Sequence, residues 1–184
     1  MKAQADVPLQ GRLVAEEIES VESECTEFEN HQWKTKDGSI SEVVCECGAE
    51  SEVVSRVEGD NLVVGVGAER LATLFDSGSA TTFDYMAIGS DGTAASESDT
   101  QLVAEEDRSS AITTSIEAFN GYNRAVRYDF TFSQGAGKGS IEEVGLFDNS
   151  SANSGTMFNR FVFSTPRDNE NNDLRIQLDV RFAP

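Results

Sequence analysis

Four side chains in this sequence could hold a metal ion: Cys25, His31, Cys45 and Cys47. They are all three cysteines and the only histidine, and they fall within one short stretch near the N-terminus. Thiolates and imidazoles are the ligands tetrahedral zinc prefers, and a structural site draws four of them from two passes of the chain. Cys25 and His31 would lie on the first pass. Lys36-Asp37-Gly38-Ser39 has turn composition, and Ile40 to Val44 reads as a strand delivering Cys45 and Cys47, with Gly48 closing the knuckle. Cys45-x-Cys47 is tighter than the usual Cys-x-x-Cys pair, and Cys25-x5-His31 is looser. Four protein ligands leave no position for water, so such a zinc would be structural. It would stabilise a segment too short and too acidic to bury a core, with Phe28 and Trp33 covering the ion. The competing readings are three free thiols with a surface histidine, or one disulfide that leaves a cysteine over.

Other chemistry is weakly supported. Nucleophilic catalysis needs a base beside the nucleophile, and His31 sits among the cysteines with no strand or helix framing a Cys25–His31 pair. Glu142-Glu143 and Glu105-Glu106-Asp107 have the residue types of paired acid and base. In so acidic a chain, adjacent carboxylates follow from composition and read as a solvated face. Asp91 and Asp99 lack the ligand ladder of a calcium loop, so Asp91-Gly92-Thr93 reads as a turn. Gly135 to Ser140 lacks phosphate-loop spacing and lies between two strands rather than before a helix. It reads as a hairpin turn. Arg108 and Arg160 are better candidates for structure, each as a guanidinium fork buried against Glu105 or Glu143. No catalytic residues are expected.

These residues sit in a chain of 184 with 33 acidic and 14 basic side chains, net −19. That balance opposes nucleic-acid binding, which needs cationic side chains on the phosphates. No apolar run of about 18 residues is present, and Met1 to Asp6 lacks the apolar stretch of a signal peptide, so no membrane partner is expected. Only four of the basic residues are lysines: Lys2, Lys34, Lys36 and Lys138. Dense acid with little lysine suits high salt, where the Debye length shrinks to about 3 Å at 1 M and self-repulsion is screened. A halophilic source is expected. Residues 1–60 carry a net −10 and residues 61–184 a net −9, so the N-terminal third is twice as dense in charge. This shift suggests a boundary near Gly59-Asp60.

The elements that must position these groups are mostly strands. Val14, Ile18 and Val21 fit one face of a short helix, or residues 1–24 form a flexible arm. Asn61 to Val64 reads as a strand, and Ala68 to Phe75 as a short helix with Leu71, Leu74 and Phe75 on one face. Phe83 to Ile88 is a strand. Ser98-Asp99-Thr100 would cap a short acidic helix over Gln101 to Asp107. Ile112 to Ala118, Val126 to Phe132, Ser140 to Phe147, Met157 to Phe163 and Leu174 to Phe182 alternate or read as strands. The expected fold class is mainly β: an antiparallel β-sandwich or barrel-like module with short helices, preceded by a small zinc-ribbon-like N-terminal segment. The organisation expected is an arm over residues 1–24, a knuckle over 25–58 and a β-rich module over 61–184.

The module resembles a family of small virion structural proteins of tailed bacteriophages and tailed archaeal viruses. The resemblance is carried by Gly67 to Ala72, Phe83 to Thr93, Asp99 to Glu105 with Arg108, Ile141 to Phe147, and Met157 to Arg160. It covers about two thirds of the chain and excludes the cysteine segment. The family often has Gly-Thr-Gly-Thr where this chain has Gly89-Ser90-Asp91-Gly92-Thr93. The resemblance implies a non-enzymatic subunit of the virion, made in the host cytoplasm. It would assemble as a homo-oligomeric turret or decoration on the capsid surface, or as a tail or baseplate component. Implied partners are the major capsid protein or other virion proteins, and a host cell surface. With the acidic composition, the host would be a haloarchaeon. A different class remains open, a host zinc-ribbon interaction protein, although residues 1–60 carry no basic face for a regulator.

Overall fold

A computed structural model describes residues 9–20, 34–35, 43–44, 50–78, 82–109, 112–119 and 122–182. Within them the chain is mainly β, and its antiparallel sheet curls into a half-barrel. In chain order the elements are β1 (Leu9–Ser20), β2 (Lys34–Thr35), β3 (Val43–Val44), β4 (Glu50–Val63), α1 (Gly65–Ser77), β5 (Tyr85–Gly89) and β6 (Glu105–Arg108). They continue with β7 (Thr113–Phe119), β8 (Tyr122–Phe132), β9 (Ser140–Phe147), β10 (Met157–Asp168) and β11 (Asp173–Phe182). The strand order is β6-β5-β9-β10-β4-β1-β11-β8-β7, with β2 and β3 attached beside β4.

β4 joins the two halves. Ser51 to Asn61 pair with β1, whereas Leu62 and Val63 pair with β10. Glu17 faces Ser55 and Ile18 faces Val53, so Val54 is an extra residue that bends the strand. The inner faces of both halves then close on one core. Leu13 and Ala15 of β1 and Leu174, Ile176, Leu178 and Val180 of β11 meet Met86 and Ile88 of β5, Val144 and Leu146 of β9, and Phe158 and Phe163 of β10. Full burial of each large apolar side chain contributes about 1.5–3 kcal/mol, so this layer is the main source of stability. A smaller cluster of Val64, Ala87, Leu102, Phe147 and Met157 lies on the opposite face of the β5–β9–β10 half.

The period-two segments expected as strands are β8, β10 and β11, and the expected helix lies within α1. α1 packs Leu71 and Leu74 on the core and ends at Gly78, whose positive φ lets its N–H reach the Leu74 carbonyl. A Cβ at Gly67 would stand 2.3 Å from the Phe158 carbonyl oxygen, so only glycine lets α1 approach β10 this closely.

Four expectations need correction. Val14 and Ile18 lie on a strand, not a helix: β1 is central, paired on both edges, and both of its faces are buried. The segment around Gln101 to Asp107 is not a helix but an irregular crossing that ends in β6. The Gly135 to Ser140 turn is not a hairpin, because β8 and β9 belong to different halves of the sheet. It is pinned instead by buried Asn169, whose Oδ1 accepts from Gly137 N at 2.8 Å and whose Nδ2 donates to the Ser133 and Asn172 carbonyls. The composition shift at Gly59-Asp60 falls inside the continuous strand β4.

Candidate functional site

The polar groups that come together lie on the outer face of the β6–β5–β9–β10 half. The sheet register sets two adjacent rows. One runs Arg108, Ala87, Gly145, Arg160; the other runs Glu105, Gly89, Glu143, Val162. Small residues at Ala87, Gly89 and Gly145 leave room for two arginines and two glutamates to lie flat on the sheet. A Cβ at Gly89 would stand 2.6 Å from the Glu143 Oε1 atom and 2.5 Å from the Ala104 carbonyl oxygen. The crossing segment 98–104 then lies over these rows and excludes water from them.

At one end, Arg160 and Glu143 are both essentially fully buried. Arg160 donates from Nε to Glu143 at 2.8 Å and from Nη1 to Asp99 at 2.9 Å, and its Nη2 stands 3.7 Å from Asp91. Burial works against the Arg160 charge, but the hydrogen bonds to Asp99 and Glu143 outweigh it and hold the pKa above the ordinary arginine value. Glu143 also accepts from the backbone N–H groups of Val103 and Ala104, at 3.1 and 2.7 Å. This explains the missing helix: amides that a helix would bond internally are donated to a carboxylate of β9. Asp99 does not cap a helix either. Its Oδ2 accepts from Ser96 N and from Arg160.

At the other end, Arg108 grips Glu105 with two parallel 2.8 Å hydrogen bonds, and both side chains are buried. Its guanidinium lies 3.8 Å from the centroid of the Phe147 ring. Its Nη1 donates to the carbonyls of Asn149 and Ser154, while Glu105 accepts from Asn153 N. The pair therefore ties the β9–β10 connection to β6. Both arginine forks expected from the sequence are present, Arg108 on Glu105 and Arg160 on Glu143.

Other singled-out residues serve local geometry. Asp91 accepts from Thr93 N at 2.8 Å, and its hydrogen bonds with Thr93 draw its carboxyl below the ordinary range. Glu142 lines a groove of about 520 Å³ that opens where β4 leaves β10, with Asp60, Leu62, Arg160, Phe161 and Phe163. Glu106 accepts from Ser90 Oγ.

Sequence reasoning missed one polar cluster, on the outer face of the β4–β1–β11–β8 half. Glu16 is buried, and neither of its oxygens has a hydrogen-bond partner. Arg56 Nη1 and Arg175 Nη1 stand 3.7 and 3.9 Å away. Burial, only partly offset by these arginines, holds the Glu16 carboxyl above the ordinary range. The only signal was a glutamate between apolar positions of β1.

The four expected zinc ligands, Cys25, His31, Cys45 and Cys47, lie outside the described residues, as do Phe28 and Trp33. Among the described residues, no group of three or more His, Cys, Asp and Glu side chains is arranged to hold a metal. No helix among them is long and apolar enough to cross a membrane.

The fold and this site define an antiparallel β protein whose buried charges fasten its loops to its sheet. No protein family, curated protein or solved structure matches the chain.

Proposed function

We propose that this chain is a non-enzymatic structural subunit of a halophilic tailed virus, built as an oligomeric turret or decoration on the capsid surface. One observation carries the reading. The segments that resemble virion proteins, Phe83 to Thr93, Asp99 to Arg108, Ile141 to Phe147 and Met157 to Arg160, meet around the two arginine–glutamate pairs. In those pairs the charged groups are spent on holding loops to the sheet, as a building block on a particle surface requires. The net charge of −19 suits a surface that must stay hydrated in concentrated salt, where its self-repulsion is screened. Its partners would be further copies of itself and the major capsid protein or other virion proteins.

The N-terminal cysteine segment would carry a structural zinc on Cys25, His31, Cys45 and Cys47. The donor set supports this, and so does the antiparallel pairing of β2 with β3, Lys34 opposite Val44, since the chain enters β2 and leaves β3 at the same end.

Immunogold labelling of particles released from a culture that produces this chain tests the reading. Gold on the heads of intact particles supports it. Gold on tails moves the protein to the tail or baseplate, and unlabelled particles overturn the reading.

A further inference from the structure

A groove opens on the outer face of the sheet where β4 changes partners. β4 pairs with β1 up to Asn61 and with β10 from Leu62, which stands opposite Arg160. The groove measures about 520 Å³, within the range of about 300–1,000 Å³ that suits small-molecule sites. Leu62, Val162 and Pro166 give it apolar surface, and Asp60, Glu142 and Arg160 give it polar groups.

Those polar groups are left over from the fold. The carboxylates of Asp60 and Glu142 enter none of the ion pairs among the described residues. Arg160 is 1% exposed, and its Nε and Nη1 are bonded to Glu143 and Asp99. Its Nη2 is buried without a hydrogen-bond acceptor, 3.7 Å from Asp91. A buried donor left unmade is costly and calls for an acceptor. Gly92 bears on the placement of Glu142, because a Cβ there would collide with the Glu142 carboxylate and with nothing else.

We infer that this groove binds a neutral sugar residue of a glycan. A hydroxyl both donates and accepts, so one ring serves all three leftover groups. One hydroxyl accepts from Arg160 Nη2, others donate to Asp60 and Glu142, and the C–H face of the ring lies on Leu62 and Val162. An anion would reach Nη2 only by meeting Asp60, Glu142 and Asp91. An amine would pair with the carboxylates and leave Nη2 without an acceptor. The inference goes beyond the proposed virion role and does not depend on it, since the free chain would bind the same sugar.

The test is titration of the full chain, followed by amide shifts in NMR. The probes are the methyl glycosides of glucose, mannose and galactose, with glucuronate and N-acetyl-lysine amide as charged comparisons. Each is raised far enough to fill a site with a dissociation constant of about 1 mM. At least one neutral glycoside should shift the amides of Leu62, Ala94, Ala95 and Val162, and should bind equally at about 0.1 M and 1 M salt. Glucuronate should bind at least about tenfold more weakly. Asp60→Ala and Glu142→Ala should each weaken the glycoside at least about tenfold with an unchanged circular dichroism spectrum. Gly92→Ala, which displaces the Glu142 carboxylate without removing it, should weaken binding at an unchanged melting temperature. Asp76→Ala, at an exposed position of α1, should leave binding intact. No shift with any of the three glycosides overturns the inference. So does glycoside binding that resists both Asp60→Ala and Glu142→Ala. Binding of the lysine amide alone, weakening as salt rises, also overturns it and makes the groove a pocket for a basic side chain.

Discussion

Arg160 donates from Nε to Glu143 Oε2 at 2.8 Å, and neither side chain is more than 1% exposed. The partners are not equally dependent on each other. Without Arg160, Glu143 still accepts two backbone amides, from Val103 and Ala104. Without Glu143, Arg160 keeps Asp99, but those two amides lose their acceptor. Removing one partner of a buried ion pair costs about 3–5 kcal/mol. Glu143→Ala is expected at the upper end of that range and Arg160→Met below it, measured by denaturant unfolding in high salt. Equal or reversed losses would contradict the assignment of Glu143 as the centre of the site.

Gly67 and Gly89 are required by close approach. At Gly67 an added Cβ meets backbone of β10, and at Gly89 it meets both the Ala104 carbonyl and the Glu143 carboxylate. Overpacking of this kind costs about 1–3 kcal/mol. Gly89→Ala should in addition loosen segment 98–104, read as faster amide exchange at Val103 and Ala104. Protection unchanged from the unsubstituted chain would mean that Glu143 does not hold those amides.

Much of this architecture was legible in the sequence. β8 and β11 alternate because one face meets the apolar core and the other carries ion pairs such as Arg127–Asp179 and Arg175–Asp129, and that pattern survives in the residue order. Arg108 and Arg160 stood out as cations among acidic and apolar neighbours. β1 was hidden because both of its faces are buried, which erases the alternation and leaves Val14 and Ile18 at a spacing that also fits a helix. β6 was hidden because the sequence offers a helix cap at Asp99, while the amides that would propagate the helix are captured by Glu143, some forty residues away in sequence. The turn at Gly135 was mistaken for a hairpin because its anchor, Asn169, is equally remote. Local patterns cannot reveal such partners.

Acidity acts on the carboxylates of the fold in opposite senses. Burial raises the Glu16 carboxyl above its ordinary 4.5, so the folded chain takes up that proton before the unfolded chain does. Its contribution is most favourable below 4.5 and is lost as pH rises through the raised value. Glu16→Gln should therefore stabilise the protein at pH 7, with the gain closing as pH falls toward 4.5. Glu58 and Asp168 run the other way. Hydrogen bonds from Arg12 and Asn171 respectively lower their carboxyls, so their contribution is present above the ordinary values and is lost as pH falls through the depressed ones. Unfolding curves for Glu16→Gln and the unsubstituted chain at pH 7 and pH 5 check the sign. A gain that grows at pH 5 would contradict it.

Salt should stabilise the fold. At 0.1 M the Debye length is about 10 Å and at 1 M about 3 Å, so repulsion within a chain of net −19 is relieved across that range. The buried pairs Arg108–Glu105 and Arg160–Glu143 are shielded from the same ions. The melting temperature should rise with salt, and Glu143→Ala should lower it by a similar amount at both concentrations. A penalty that vanishes in high salt would place the pair at the surface.

Zinc on Cys25, His31, Cys45 and Cys47 would amount to about one ion per chain. Cys45→Ser should abolish it while the β8–β11 pairing, followed by amide exchange, stays intact. Metal content unchanged by Cys45→Ser, or no zinc in the unsubstituted chain, would remove the metal from the proposal.

The most direct test of the central proposal is quantitative peptide mass spectrometry of density-purified virus particles from a culture that produces this chain. A structural subunit should co-purify with the major capsid protein at a fixed ratio, in a copy number that fits a symmetric set of oligomers. Peptides of this chain found only in the host lysate, or at a ratio that changes with each purification step, would contradict a structural role in the virion.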